Sequence, residues 1–518
     1  MLKRPLLTIF GFLTVSGVLS SCVPSGDNHP PAQGAGVVAP GPLPGTIFLY
    51  PERIPLQEGG FFSAERGMMF VPVNRSNPGS GILGLEIYRF KALDTAAPGT
   101  PPIFFLHGGP SFVGLEEELG ELGVFEEKWL PFLDVSDLVV VSQRGIGPSK
   151  PTTTIDLTMG PDPLDENLDR SEAARQFQEV ASSGEDYWTS QGLDLSGFTI
   201  LEAAADLDDV RKALGYDKVT LWGGSFGSHW GMAVMRYYPE TVERAVLRGM
   251  EGPDHTYDHP GHIWNVYKRV AEEAEAAPEF QGLIPEGGLV EAITRVMGRL
   301  EAEPFSVTVA HPETGRPTEV LFSRESAAGQ SLARGYSGGL PSWPADVIAL
   351  SSGDFQAAAE TAARRQASGE RNYRTASYFM LDCGSGITPD RLAEYEADPA
   401  VALIGMLNWY YLAGCAAWDS DLGDDFRQNF ETDIPTVIAH GTWDTSTPFE
   451  NALELVPFFK NSKFIPVVRG PHGAIVAARR ASEQFNRGIL RFAATGDWSE
   501  LPDQVELPLP EWVVPSRR

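Results

Sequence analysis

Short, wholly apolar runs that end in glycine-rich turns are the first pattern along this chain. Residues 103–106 (IFFL) lead into His107-Gly108-Gly109-Pro110, and residues 138–141 (LVVV) lead towards Gln143-Arg144-Gly145-Ile146-Gly147-Pro148-Ser149. A strand that is apolar at every position is buried on both faces, as in a parallel sheet. Two earlier β-type runs, 68–73 and 83–90, precede them. At Thr199 the rhythm changes. Leu201, Ala204, Leu207, Val210 and Leu214 repeat at helical spacing. Thr199 and Glu202 match a capping box, and Gly215 fits the stop position. Residues 219–222 are the next apolar run, ending in Gly223-Gly224-Ser225-Phe226-Gly227. A helix is predicted from there to about Tyr238, before Pro239, and a strand over 244–247. Strands alternating with helices predict an α/β fold.

From residue 251 to 426 the pattern is mainly helical, with one hairpin predicted over 305–309 and 318–322. Buried-strand runs then return. Residues 436–439 lead into His440-Gly441-Thr442-Trp443-Asp444, and 463–468 into Arg469-Gly470-Pro471-His472. A single long helix is predicted over 474–492. We read one mostly parallel sheet, with a first core segment at 46–250 and a second at 427–518. An inserted, mainly helical lid at 251–426 separates them.

The N-terminal end reads differently. Lys3 and Arg4 precede an apolar stretch, 6–18, too short to span a bilayer comfortably. It ends in Leu19-Ser20-Ser21-Cys22, which resembles the lipobox of bacterial lipoproteins. Residues 1–22 are therefore expected to be a lipoprotein-type signal with Cys22 lipidated; the alternative is an ordinary secretory signal. Residues 23–45, rich in Pro, Gly and Ala, read as a flexible tether spanning roughly 25–30 Å. The expected location is the bacterial cell envelope, with the membrane reached through the lipid anchor.

A formal charge of −29 without a basic stripe argues against nucleic acid as a partner and reads as a solvated surface. Beyond Cys22 the only cysteines are Cys383 and Cys415. In an oxidising compartment they read as a disulfide worth roughly 3–4 kcal/mol, the alternative being two buried thiols. Neither has a further Cys or His at ligand spacing, so no metal is expected, nor any cofactor.

The chemistry lies in the glycine-flanked serines. Gly-x-Ser-x-Gly occurs at Ser225 and again at Ser337, but only Ser225 follows a predicted strand and precedes a helix. That strand–turn–helix elbow lifts a hydroxyl clear of the sheet. A serine needs a base held by a carboxylate, and behind such an elbow the chain order is Ser, acid, His. Asp444 and His472, each just past a predicted strand, fill those places. Glu251 is the rival acid. His229 is expected to pack beneath the elbow, and His440 precedes the acid. His255, His259 and His262, near Asp254 and Asp258, read as a polar lid entrance rather than a metal site. The oxyanion donors are expected from Phe226 and Gly109, with Gly108 in reserve, because Pro110 has no N–H.

Together HGGP (107–110), QRGIGPS (143–149), GGSFG (223–227) and the stretch 195–227 resemble proline iminopeptidases and tripeptidyl aminopeptidases. The paired cysteines, with Trp418 close behind Cys415, resemble the latter. The resemblance implies the α/β-hydrolase fold and an exopeptidase acting on short peptides with a free N-terminus. It implies acidic residues that meet a substrate ammonium, for which Glu251 and Asp254 are the candidates. Ser111 after HGGP and Ser142 before QRG depart from the family pattern and touch the expected pocket rather than the triad. A carboxylesterase would use the same triad, and a surface-anchored binding protein with a relic fold is the third reading.

Overall fold

The structure is a computed structural model describing residues 42–110, 115–147, 149–151, 153–156, 162–368, 373–418 and 420–515. The signal segment with Cys22, residues 23–41 of the tether, and Ser111 lie outside the described residues.

Ten strands form one sheet. In chain order they are β1 (Ile47–Pro55), β2 (Phe61–Pro72), β3 (Ile82–Phe90), β4 (Ile103–Leu106), β5 (Leu138–Val141), β6 (Val219–Gly224), β7 (Val242–Arg248), β8 (Thr436–Gly441), β9 (Ser462–Val468) and β10 (Val505–Glu506). Their spatial order is β1-β2-β3-β5-β4-β6-β7-β8-β9-β10. The first three are antiparallel to one another, β3 is antiparallel to β5, and every pair from β5 to β10 is parallel. The apolar runs explain that division. Every residue of β5, β6 and β8 is buried, because helices cover both faces there. One face packs Leu207 and Trp230 with the sheet, and the other packs Phe132, Ile489 and Phe492.

The insertion between β7 and β8 is mainly helical and has a core of its own. Ile263, Val270, Ile293, Leu300, Trp343 and Val347 pack there beneath the hairpin Phe305–Ala310 and Pro317–Phe322. Its neighbours reach beyond residues 251–426. Leu164 joins that core, the Leu321 N–H donates to the Leu164 carbonyl, and Trp512 lies 6.1 Å from Trp443. Residues late in the insertion, Phe379, Trp418 and Phe426, pack instead with the sheet core. The disulfide is present: Cys383 and Cys415 are joined, with 5.2 Å between their Cα atoms. It fastens the helix Ala376–Ser385 to the helix Trp409–Cys415.

Two local expectations are corrected. Thr199 caps its helix by accepting from the Glu202 N–H at 3.4 Å, but Glu202 does not return the bond. Its carboxylate is taken by Arg75 and Arg144 instead. The predicted helix over 474–492 is two helices, Ala474–Ala481 and Glu483–Thr495. Ser482 leaves helical geometry between them (φ −134°, ψ 109°) and caps the second through the Phe485 N–H. Among the described residues no helix is long and apolar enough to cross a membrane.

Candidate active site

The parallel strands deliver the candidate residues to one edge of the sheet. His107 follows β4, Ser225 follows β6, Gly249 follows β7, Asp444 lies just past β8 and His472 just past β9. In an open α/β sheet, sites form outside the carboxyl ends of the strands.

Ser225 has φ 57°, a left-handed value that costs a non-glycine residue strain. The surroundings hold it there. Its N–H points to the carbonyls of Arg248 and Gly249, at 3.2 and 3.1 Å. Its carbonyl accepts from the Ser228 N–H and Oγ. The glycines are required by contact. A Cβ on Gly223 would lie 2.3 Å from the Gly227 carbonyl oxygen, and one on Gly227 would lie 2.1 Å from that of Leu106. Phe226 opens the helix Phe226–Tyr237, so its N–H lacks an intrahelical acceptor. Gly108 backs directly onto the serine: a Cβ there would lie 3.1 Å from Ser225 Cβ.

Asp444 is fully buried and its two oxygens lie 3.0 and 2.9 Å from His472 Nδ1. The same carboxylate accepts from the N–H groups of Ser446 and Thr447 and from Thr447 Oγ1. Burial alone would raise its pKa. Bonding and attraction to His472, attraction to His440 and the Thr447 N–H outweigh that and hold it below the usual carboxylate value. Thr447 Oγ1 also lies 3.2 Å from His472 Nδ1, and Arg248 donates to the His472 carbonyl at 2.9 Å. Gly249 sits between the imidazole and the serine: a Cβ there would lie 3.1 Å from His472 Cε1 and 3.2 Å from Ser225 N. Among the described residues no hydrogen bond joins Ser225 Oγ to the ring. Such bonds commonly tighten only when substrate arrives.

The other candidates fall elsewhere. Ser337 Oγ bonds Asp346, whose carboxylate also accepts from the Tyr336 and Ser337 N–H groups at 3.1 Å, so this motif is a turn inside the insertion. His229 is buried beneath the elbow, between the Gly252 carbonyl and Ser385 Oγ, and burial lowers its pKa to about 4. His440 accepts from the Met250 N–H and bonds the Thr447 carbonyl. His255 and Glu454 pair at 3.0 Å. His259 stacks on His262 at 3.9 Å. Among the described residues no group of three or more His, Cys, Asp and Glu could hold a metal ion.

Of the two proposed ammonium ligands, Asp254 is already engaged. It accepts from the Thr388 N–H and Oγ1 at 2.8 and 2.6 Å. Glu251 is different. Its carboxylate has no hydrogen-bond or ion-pair partner among the described residues. Its pKa is pushed well up by burial first, then by Asp382 and Asp258. Asp258 is held by Asn408 Nδ2 at 2.9 Å. Burial raises its pKa to about 7; Asn408 opposes the rise and the nearby Asp444 adds to it. Glu251 thus lies within electrostatic range of Asp382 and Asp258, and Asp258 within range of Asp444 and His472. The disulfide ties the elements that carry this group, since Asp382 precedes Cys383 and Asn408 opens the helix that ends at Cys415. Sequence reasoning missed Asp382, for which the adjacent Cys383 was the one available signal.

Asp258 gives a stability prediction. Its folded pKa lies above the unfolded value of 3.8, so the folded protein binds the extra proton between those values. Stability is therefore lost as pH rises from about 4 to 7, by on the order of 4 kcal/mol, and is constant beyond. Asp258→Asn should raise the melting temperature at pH 8 and leave it nearly unchanged at pH 4. Equal shifts at both pH values in thermal melts would contradict this.

Fold and site together define a hydrolase. Residues 101–476 match the family described as alpha/beta hydrolase fold, and the chain belongs to it. Among curated relatives, the tripeptidyl aminopeptidase of Streptomyces coelicolor is 23% identical over 425 residues, covering 77% of this chain and 75% of that protein. Serine protease Hip1 of Mycobacterium tuberculosis is 28% identical over 198 residues, 36% of each chain, so the match spans about a third of that protein's length. The proline iminopeptidase of Neisseria meningitidis is 28% identical over 165 residues, covering 32% of this chain and 37% of that protein.

Proposed function

We propose that this hydrolase is an exported serine exopeptidase that cleaves peptide bonds near the free N-terminus of short peptides. Ser225 Oγ attacks the scissile carbonyl. His472 Nε2 takes its proton and passes it to the departing amine. Asp444 fixes the ring through Nδ1 and stabilises the imidazolium. The N–H groups of Gly109 and Phe226 receive the oxyanion. Water then releases the acyl group by the same route.

The observation that carries the peptidase reading is Glu251, a half-buried carboxylate without a cation and within electrostatic range of two further acids. Burying that charge unpaired is costly, and a substrate ammonium would pair it. Three relatives with peptidase names support the same reading. Export rests on the signal-like N-terminal run ending at Cys22, and a disulfide suits the oxidising compartment it would reach. We extend the proposal to a lipid anchor on Cys22. The deciding experiment is a panel of aminoacyl- and tripeptidyl-coumarin amides beside short-chain nitrophenyl esters. Preference for the amides supports the proposal, and activity confined to the esters replaces it with a carboxylesterase.

A further inference from the structure

We infer that Gln143 is the positioning residue of the oxyanion pocket, holding the loop 107–110 so that its glycine N–H groups are presented to substrate. The inference rests on the reading of Ser225 as nucleophile. Gln143 is buried just past β5, and its Nε2 donates to two consecutive carbonyls: His107 O at 3.1 Å and Gly108 O at 3.3 Å. Two carbonyl acceptors require the NH₂ end of the amide there, which has a hydrogen for each.

The consequence follows from peptide geometry. Among the described residues the only cis bonds are Gly109–Pro110 and Lys150–Pro151, so the 107–108 and 108–109 peptides are trans. In a trans peptide the C=O of one residue and the N–H of the next point in opposite directions. Turning the carbonyls of His107 and Gly108 towards Gln143 therefore turns the N–H groups of Gly108 and Gly109 away from it. Neither N–H meets an acceptor among the described residues. Gly108 itself backs onto Ser225, 3.6 Å from Oγ to a Cβ built there. One side chain thus fixes the direction of the oxyanion donors without touching the reacting atoms.

Anchorage of the strand end does not require Gln143, because its neighbour supplies it. The fully buried Arg144 pairs with Asp206 at 2.6 Å and donates to the carbonyls of Pro72, Val73 and Gly197. Ser149 Oγ donates to the Gln143 carbonyl at 2.8 Å and holds its backbone in place.

The test uses Gln143→Met, which keeps length and removes the donor, and Gln143→Glu, whose carboxylate repels both carbonyls until it is protonated. Gln143→Met should lower kcat by about 10- to 100-fold with KM nearly unchanged, since the loss falls on the transition state. Affinity for a peptidyl boronic acid, which forms a tetrahedral adduct on the serine, should fall by a similar factor. In Gln143→Glu the activity relative to the parent should rise as pH falls, because the protonated carboxyl regains one donor. A merely structural glutamine would give no such pH-dependent recovery. That ratio also decides the matter if Gln143→Met fails to fold. Parent-like kcat in folded Gln143→Met, a loss confined to KM, or a flat pH ratio overturns the inference. Ser225→Ala, run in parallel, separates the two readings. Turnover surviving in it would remove the nucleophile assignment, whereas its loss beside parent-like Gln143 variants would remove only this inference.

Discussion

Ser225→Ala is expected to abolish turnover, by roughly 10³-fold or more, in a protein that still folds. The substitution deletes one hydroxyl and leaves the left-handed backbone in place, because that geometry is fixed by neighbours. The Ser225 N–H reaches the carbonyls of Arg248 and Gly249, and Gly223 and Gly227 admit no side chain. The oxyanion donors and the His472–Asp444 pair remain, and without a nucleophile they offer only binding and polarisation. Ser337→Ala is the matched control. Its hydroxyl bonds Asp346, which keeps two backbone N–H partners, so the change should lower stability by about 1 kcal/mol and leave kcat near the parent value. Steady-state rates and melting curves on the two variants check both statements. Substantial activity in Ser225→Ala, or its loss in Ser337→Ala, would sink the assignment.

The two serines show what the sequence could resolve. Both carry the same five-residue pattern, and the difference lies in what precedes each. The short run Val219–Trp222, apolar but for Thr220 and ended by glycines, reads as a strand buried on both faces, and that strand sets the elbow. The same logic made 103–106, 138–141 and 436–439 legible, and with them the edge where His107, Asp444 and His472 gather. β1 is not legible in the same way: its short apolar run Ile47–Tyr50 is broken by Pro51, Glu52 and Arg53, and most of the strand is partly or fully exposed. The break at Ser482 was missed for a related reason. Apolar spacing continues across it, and only the serine's capping bond to Phe485 reveals the second helix.

Partner choice was the less legible part. Asp254 and Glu251 look alike on the page, three residues apart at the start of the insertion. What separates them is Thr388, more than a hundred residues away, which takes up the Asp254 carboxylate. Asp382 and Asp258 join Glu251 only because the insertion folds back over the sheet edge. Gln143 stood out as part of a motif, but its job depends on the two carbonyls that β4 places opposite it. Long-range pairing of this kind leaves no periodic trace along the chain.

A peptide amide with a free α-amino group should be cleaved with a kcat/KM on the order of 10²- to 10³-fold above that of its N-acetylated twin. The argument starts from these acids. Glu251 is raised by burial, Asp382 and Asp258, and Asp258 by burial and Asp444, so both favour the proton when no cation is near. An arriving ammonium supplies the missing counter-charge. Acetylation removes it and leaves the carboxylates to be buried uncompensated against the substrate. Comparing the two peptides at each pH cancels the pH dependence of the steps they share. The ratio of free to acetylated rates should therefore rise as pH approaches about 7, where Asp258 ionises, and fall again past about 8 as the peptide's own amine loses its proton. Glu251→Gln should shrink that ratio chiefly by slowing the free peptide, because a neutral amide gives an ammonium far less than a carboxylate does. Nitrophenyl butyrate, which lacks the charge, should respond little to the same substitution. Equal rates on the two peptides across the pH range, or an unchanged ratio in Glu251→Gln, would leave the serine site standing and move the assignment to an esterase.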